Sequence, residues 1–256
     1  MTACERYKKA QKYFSGIEKD IVSDIEKSMF KKSLECLYKK TKIIELIKDG
    51  IISPGLNLYA SQILHRSLIE HYLLSQYIFL RCKIDNSDAV GEEYYNQYSQ
   101  SETLKQITYS LQLADIRNNI KRTIDISVLK QQYPFFENIS QRDIEECHRM
   151  ANQFSNVKII GDYLLKNKDY ESMLASVNQR TFDLLEKYSI FSSFIHGGPH
   201  AEKTIFEEVD LDFATTLEFN IEWAYTLAHI SKANLVLLLR GEFYEKYKNH
   251  FTEMYK

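Results

Sequence analysis

The sequence predicts an all-α fold, a single-domain helical bundle of six to eight helices over residues 1–256. Three features carry that reading. Glycine and proline number only 8 and 3, too few for the tight turns of an all-β chain. Apolar residues recur at three- and four-residue steps through most of the sequence. Start and stop signals bracket those periodic stretches. Hydrophobic residues make up 44% and charged residues 27%, the ordinary balance of a globular protein. Eighteen Tyr and fourteen Phe supply a core rich in rings with polar tips.

Residues 1–50 read as an amphipathic N-terminal helical region. Ile17, Ile21, Ile25, Met29, Leu34, Leu37, Ile44 and Ile47 follow the helical period, with Lys and Glu between them. Ser15-Gly16 marks a break there, and Asp49-Gly50 is a C-terminal stop signal. A core bundle is expected over 53–240. Its first helix should run from Ser53 to Cys82, with Ser53 as N-cap and Pro54 as the first helical residue. Ala60, Leu64, Ser67, His71, Leu74 and Ile78 share one face of it; Tyr59, Ile63, Arg66, Glu70, Leu73 and Tyr77 share another. Both faces are mainly apolar, so this helix should be packed on at least two sides.

Asp85 to Gly91 is polar and reads as a loop, and residues 92–130 as one or two helices. Tyr133-Pro134 breaks the pattern. Ser140 to Asp143 fits a capping box that starts a helix running towards Phe154. Val157 to Lys166 reads as a short helix. A further helix from about Tyr170 to His196 should stop at Gly197-Gly198-Pro199. An acidic loop is expected over 200–210. The last helix starts near Asp212, carries Phe213, Leu217, Ile221, Trp223, Ala224, Leu227, Leu235 and Leu238, and continues past Gly241 to Phe251.

Net charge is −2, which gives no global basic signature for nucleic acid. Residues 1–48 nevertheless hold twelve Lys/Arg against seven Asp/Glu, and 202–222 holds seven acids and one Lys. Such asymmetry either steers a partner or marks solvated helix faces. Cys4, Cys36, Cys82 and Cys147 are scattered without a C-x-x-C pair, the pattern of reduced thiols rather than of zinc or a disulfide framework. No signal peptide opens the chain, and no apolar run is long enough to cross a bilayer. A cytoplasmic protein without membrane contact is expected.

No P-loop, dinucleotide fingerprint, H-E-x-x-H or G-x-S-x-G motif occurs, and no cofactor is expected. Chemistry then rests on a few polar residues set among apolar ones. Arg66 and Glu70 lie four apart, close enough to pair, either as a structural ion pair or as part of a site. His71 lies among Ala60, Leu64 and Leu74, as a hydrogen-bonded core histidine would. Tyr188, Ser192 and His196 align a phenol, a hydroxyl and an imidazole along one helix face. His196 falls in the last turn, at the negative end of the helix dipole. Glu218, Glu222, Tyr225 and His229 also share helical spacing, but no second Glu-x-x-His completes a di-metal set, and no metal is expected. Two R-x(4–6)-H matches occur, Arg66 with His71 and Arg142 with His148.

The Arg66-Ser67-Leu68-Ile69-Glu70 segment and the Y-x-x-x-S-x-x-x-H-G of Tyr188, Ser192, His196 and Gly197 resemble the two signatures of a family of uncharacterised bacterial helical domains. The likeness covers about residues 55–200. That family is similar to the HEPN group, and the resemblance implies a HEPN-like fold in a phage-defence or toxin–antitoxin setting. It implies RNA or a nucleotide as ligand, a homodimer, and metal-independent ribonuclease chemistry with Arg66, Glu70 and His196 at the site and Tyr188 and Ser192 in support. His71, Arg142 and His148 are alternatives within the same resemblance. The competing reading is a non-catalytic module that binds a partner protein or dimerises through its N-terminal helix, with a buried Arg-Glu-His network specifying the packing.

Overall fold

The computed structural model describes residues 2–119, 126–167, 175–206 and 213–239. It is all-helical among those residues. The chain forms two compact units, residues 1–91 with 160–256, and residues 92–159.

The first unit is built on α1 (Ala3–Lys27), α2 (Lys31–Ile51), α3 (Leu58–Asp85), α9 (Ala175–Ile195), α10 (Pro199–Phe206) and α11 (Phe213–Leu238). On α1, Ala3, Tyr7, Ala10, Phe14, Ile17 and Ile21 are buried. Their alternating four- and three-residue steps make a narrow seam of the coiled-coil kind. This seam lies on α11 and α2. Every residue of α11 from Leu227 to Val236 is buried, because α1, α2 and α3 all pack around it. α3 is packed by α2, α9 and α11, as its two apolar faces require.

Polar groups inside this unit are held in pairs. Asn220 donates to Ser61 Oγ at 3.2 Å, and Asn234 donates to Gln76 Oε1 at 2.8 Å, both linking α11 to α3. Lys232 is fully buried (0% exposed). Its ammonium pairs with Glu45 of α2 and donates to Tyr7 Oη of α1 at 3.4 Å. Tyr7 Oη accepts a second bond from Lys48 at 3.1 Å and donates to Glu45 at 3.2 Å. Burial pulls the Lys232 ammonium below its ordinary range, against the opposing pull of Glu45. One phenol and one carboxylate thus join three helices around two buried cations.

Several boundaries differ from those the sequence predicts. α1 runs straight through Ser15-Gly16, where a Cβ on Gly16 would meet nothing within 4 Å. The chain breaks instead at Ser28 to Phe30. Phe30, the N-cap of α2, offers no side-chain hydrogen bond. The cap comes from Asp88, whose carboxylate accepts from Lys32 N and Ser33 N, each at 2.7 Å. A Cβ on Gly91 would lie 2.3 Å from Ser33 N, so only glycine allows that approach. α3 starts at Leu58, capped by Asn57 Oδ1 accepting from Ala60 N at 2.8 Å. Ser53 and Pro54 belong instead to a connecting turn, in which Gly55 takes φ 82°. Residues 199–206 are helical rather than loop, with Pro199 as the first residue of α10. The predicted extension past Gly241 lies outside the described residues.

The second unit contains a π-helical turn (Tyr94–Tyr98), α5 (Ser99–Arg117), α6 (Ile126–Gln132), a 3-10 turn (Pro134–Phe136) and α7 (Gln141–Ser155). The short α4 (Ala89–Glu93) leads into it and α8 (Val157–Lys166) leads out. Its core is Leu104, Leu129 and Phe136, with Ile107, Leu111, Tyr133, Ile139 and Ile144 packed against them. Tyr94 and Tyr98 pack on Phe154, with ring centroids 5.5 and 5.8 Å away. The predicted capping box is formed, with Asp143 N donating to Ser140 Oγ and Ser140 N donating to Asp143.

Three stability outcomes follow from these contacts. Glu45→Ala leaves Lys232 buried without its counter-charge and should cost on the order of 3–5 kcal/mol in urea unfolding. Glu45→Leu combined with Lys232→Met should cost clearly less than either single change. Asp88→Ala should cost about 1–2 kcal/mol by loss of the α2 cap.

Candidate functional site

The site forms where α3 lies against α9. On α3, Tyr59, Ile63, Arg66 and Glu70 share one face. On α9, Tyr188, Ser192 and His196 share another. Numbers fall along α9 as they rise along α3: Tyr59 meets Phe194, Arg66 meets Ser192 and Tyr188, and Glu70 meets Tyr188. The two helices therefore run antiparallel, and residues 118 to 135 apart in sequence become neighbours.

Arg66 is clamped on two of its three nitrogens. Nε donates to Ser192 Oγ at 3.1 Å and Nη2 donates to Tyr188 Oη at 2.8 Å. Nη2 also lies 3.1 Å from Glu70 Oε1. The circuit closes through the hydroxyls. Tyr188 Oη donates to Glu70 Oε1 at 2.9 Å, and Ser192 Oγ donates to the Tyr188 carbonyl at 2.8 Å. Each hydroxyl thus accepts from Arg66 and donates elsewhere. The guanidinium carbon also sits 4.8 Å from the Tyr188 ring centroid, a cation–π contact. Burial and the bond to Glu70 hold the Tyr188 phenol above its ordinary range, so it stays a neutral donor.

The network reaches the surface. The Arg66 side chain is 20% exposed and that of Glu70 is 35% exposed. Arg66 Nη1 and Glu70 Oε2 take part in none of the contacts. Neither is a buried atom lacking a partner; both meet solvent.

His196 stands outside the circuit. It is exposed, one turn beyond Ser192, at the C-cap of α9. Gly197 follows with φ 57°. Gly197 N donates to Phe194 O at 3.3 Å and Gly198 N to Ser193 O at 3.4 Å, the paired bonds of a Schellman motif. Tyr59 Oη adds a bond to Phe194 O at 2.8 Å, tying the turn that carries His196 to the start of α3. Tyr59 had a visible signal, its place two turns before Arg66 on the same face, yet the sequence reading gives it no role.

The alternative residues lie elsewhere. His71 points to α2, with Nδ1 3.3 Å from Lys40 Nζ. Burial, with the Lys40 charge, pushes its pKa down to about 4, so it is a neutral, half-buried histidine. Arg142 is exposed in the first turn of α7, in the other compact unit, and the His148 side chain lies outside the described residues. Of the spaced set on α11, Glu222 accepts from Ala3 N at 3.1 Å, Tyr225 packs on Tyr7 with centroids 5.3 Å apart, and His229 is buried. Among the described residues no group of three or more His, Cys, Asp or Glu is placed to hold a metal. The Lys232–Glu45–Tyr7 cluster escapes the sequence reading altogether, although a lone Lys in the apolar run of α11 was a signal for it.

No family model, no curated protein and no solved structure matches the chain. No helix among the described residues is long and apolar enough to cross a membrane.

Tyr188→Phe removes an acceptor from Arg66 and a donor from Glu70. It should lower stability by roughly 1–3 kcal/mol in chemical unfolding, with coupling to Arg66→Ala in a double-mutant cycle. A pH effect follows from His65, His71 and His229, each pushed down by burial to about 4. Between about pH 6.5, the ordinary histidine value, and pH 4 the unfolded chain binds more protons than the folded one. Stability should be complete above pH 7 and fall as pH drops through that window. His65→Leu should flatten the fall in urea titrations.

Proposed function

We propose that this chain is a HEPN-like helical protein that recognises the phosphate of RNA or a nucleotide at the α3–α9 seam, in bacterial defence or a toxin–antitoxin system. One observation carries the reading. Arg66 is fixed on Nε and Nη2 while its Nη1 edge meets solvent. A guanidinium held this way loses little freedom when it binds an anion, and its planar fork suits phosphate. Glu70 and Tyr188 set its plane. In RNA cleavage Arg66 would hold the scissile phosphate. The 2′-oxygen displaces the 5′-oxygen at phosphorus and the 2′ proton passes to solvent. His196 gives a proton to the departing 5′-oxygen, leaving a 2′,3′-cyclic phosphate and a 5′-hydroxyl. The exposure of His196 and the Tyr59 bond under its turn suit that role.

A second reading has its own support. Every hydroxyl of the circuit is satisfied within it, which is what a structural bracket between two helices needs. The chain would then be a non-catalytic module that binds a partner protein or a second copy.

Purified protein should bind RNA and cut it in EDTA to cyclic-phosphate ends. Arg66→Ala should abolish binding. His196→Ala should keep binding and lose roughly 10²–10⁴-fold in cleavage. Unchanged binding and cleavage in both variants, once circular dichroism shows them folded, would leave the structural bracket as the function of the cluster.

A further inference from the structure

The geometry points to a site that reads ribose as well as phosphate, selecting a ribonucleotide over its 2′-deoxy counterpart through Glu70. This rests on the phosphate reading of Arg66 given above and goes one step past it. Glu70 is not consumed by its partners. Its Oε1 takes both the Tyr188 hydroxyl at 2.9 Å and the Arg66 contact at 3.1 Å. Its Oε2 takes neither and meets solvent. Arg66 is divided in the same way, with Nη2 turned inward to Glu70 and Tyr188 and Nη1 left at the surface.

The atoms left over by the 3.1 Å ion pair and its hydrogen bonds are a cationic donor on Arg66 and an anionic acceptor on Glu70. A phosphate alone satisfies only the donor, and its charge is repelled by the carboxylate oxygen beside it. A ligand that carries a hydroxyl next to its phosphate satisfies both. The 2′-hydroxyl of a ribonucleotide 3′-phosphate is such a group, on the carbon adjacent to the one bearing the phosphate. It donates to Oε2 while a phosphate oxygen accepts from Nη1. The 2′-hydroxyl is the group by which proteins tell RNA from DNA. A carboxylate without a donor from its ligand is left with an unmet acceptor, so the deoxy form is penalised.

Glu70→Gln isolates this function. The glutamine carbonyl can keep the inward place, where Arg66 and Tyr188 both need an acceptor, and its amide then faces outward as a donor. The fold and the Arg66 clamp are kept while the outward acceptor is lost. Adenosine 3′-phosphate and 2′-deoxyadenosine 3′-phosphate, titrated by calorimetry into wild type, Glu70→Gln and Arg66→Ala, supply the test. Wild type should favour the ribonucleotide by roughly tenfold. Glu70→Gln should bind both with similar affinity, and Arg66→Ala neither. Equal binding of the two by wild type, or undiminished preference in Glu70→Gln, overturns the ribose reading and leaves the phosphate site standing. No binding of either ligand by wild type overturns the phosphate reading and this one with it.

Discussion

An arginine set among apolar residues in a helix packed on several sides has to find partners for its donors, and the α3–α9 seam is arranged around that requirement. Arg66 cannot shed its proton, so its charge stays and must be met. Glu70 supplies the counter-charge from its own helix, one turn on. Tyr188 and Ser192 supply acceptors from the facing helix and pass their own protons onward. A hydroxyl can do both at once, which a carboxylate or an amide cannot do with a single atom. The circuit therefore fixes which faces of α3 and α9 meet, and it sets their register. The same clamp that makes the arginine tolerable also holds it still. A still, partly exposed guanidinium is what a phosphate site requires.

The rest of the first unit supplies the rigidity behind that clamp. α3 is braced from the other side by α2 and α11. There the side-chain polar links include Asn220 to Ser61, Asn234 to Gln76, and Lys40 to His71. Behind them lies a fully buried charge, Lys232, held by Glu45 and by the Tyr7 hydroxyl. The two charged clusters use the same chemical device, a phenol that takes a proton donor's bond and gives its own to a glutamate. One opens to solvent at Arg66 and Glu70, and the other is closed. That contrast separates a candidate site from a purely structural cluster in the same molecule.

Much of this was legible in the chain. Helical spacing placed Arg66 with Glu70 and Tyr188 with Ser192, and the structure brings the four together. His71 was expected as a hydrogen-bonded core histidine and is found half-buried, against Lys40. Terminators with a local mechanism were readable, as with Gly197-Gly198 after α9 and the Ser140 capping box. Boundaries set from a distance were not. The break after α1 is held by Asp88, whose carboxylate caps α2 from 55 residues away, and the local signal is slight, a serine at 28 whose hydroxyl accepts from Phe30 N. Ser53-Pro54 carried the proper signal for a helix start, but Asn57 has an equally good one and sits where Gly55 has already turned the chain. The Lys232 cluster needed three helices to be placed before its partners could be seen.

Nitrogen-15 NMR of the Arg66 side chain reads out both the clamp on its Nε and the open Nη1 group. In the free protein the Nε proton should be protected by Ser192, and the two Nη groups should be distinct because rotation about the guanidinium is restrained. Addition of adenosine 3′-phosphate should shift the Nη1 protons most and leave the Nε environment nearly unchanged. Rapidly averaged Nη signals in the free protein, or ligand binding that leaves every Arg66 resonance in place, would show that Arg66 is not held as a phosphate-binding group.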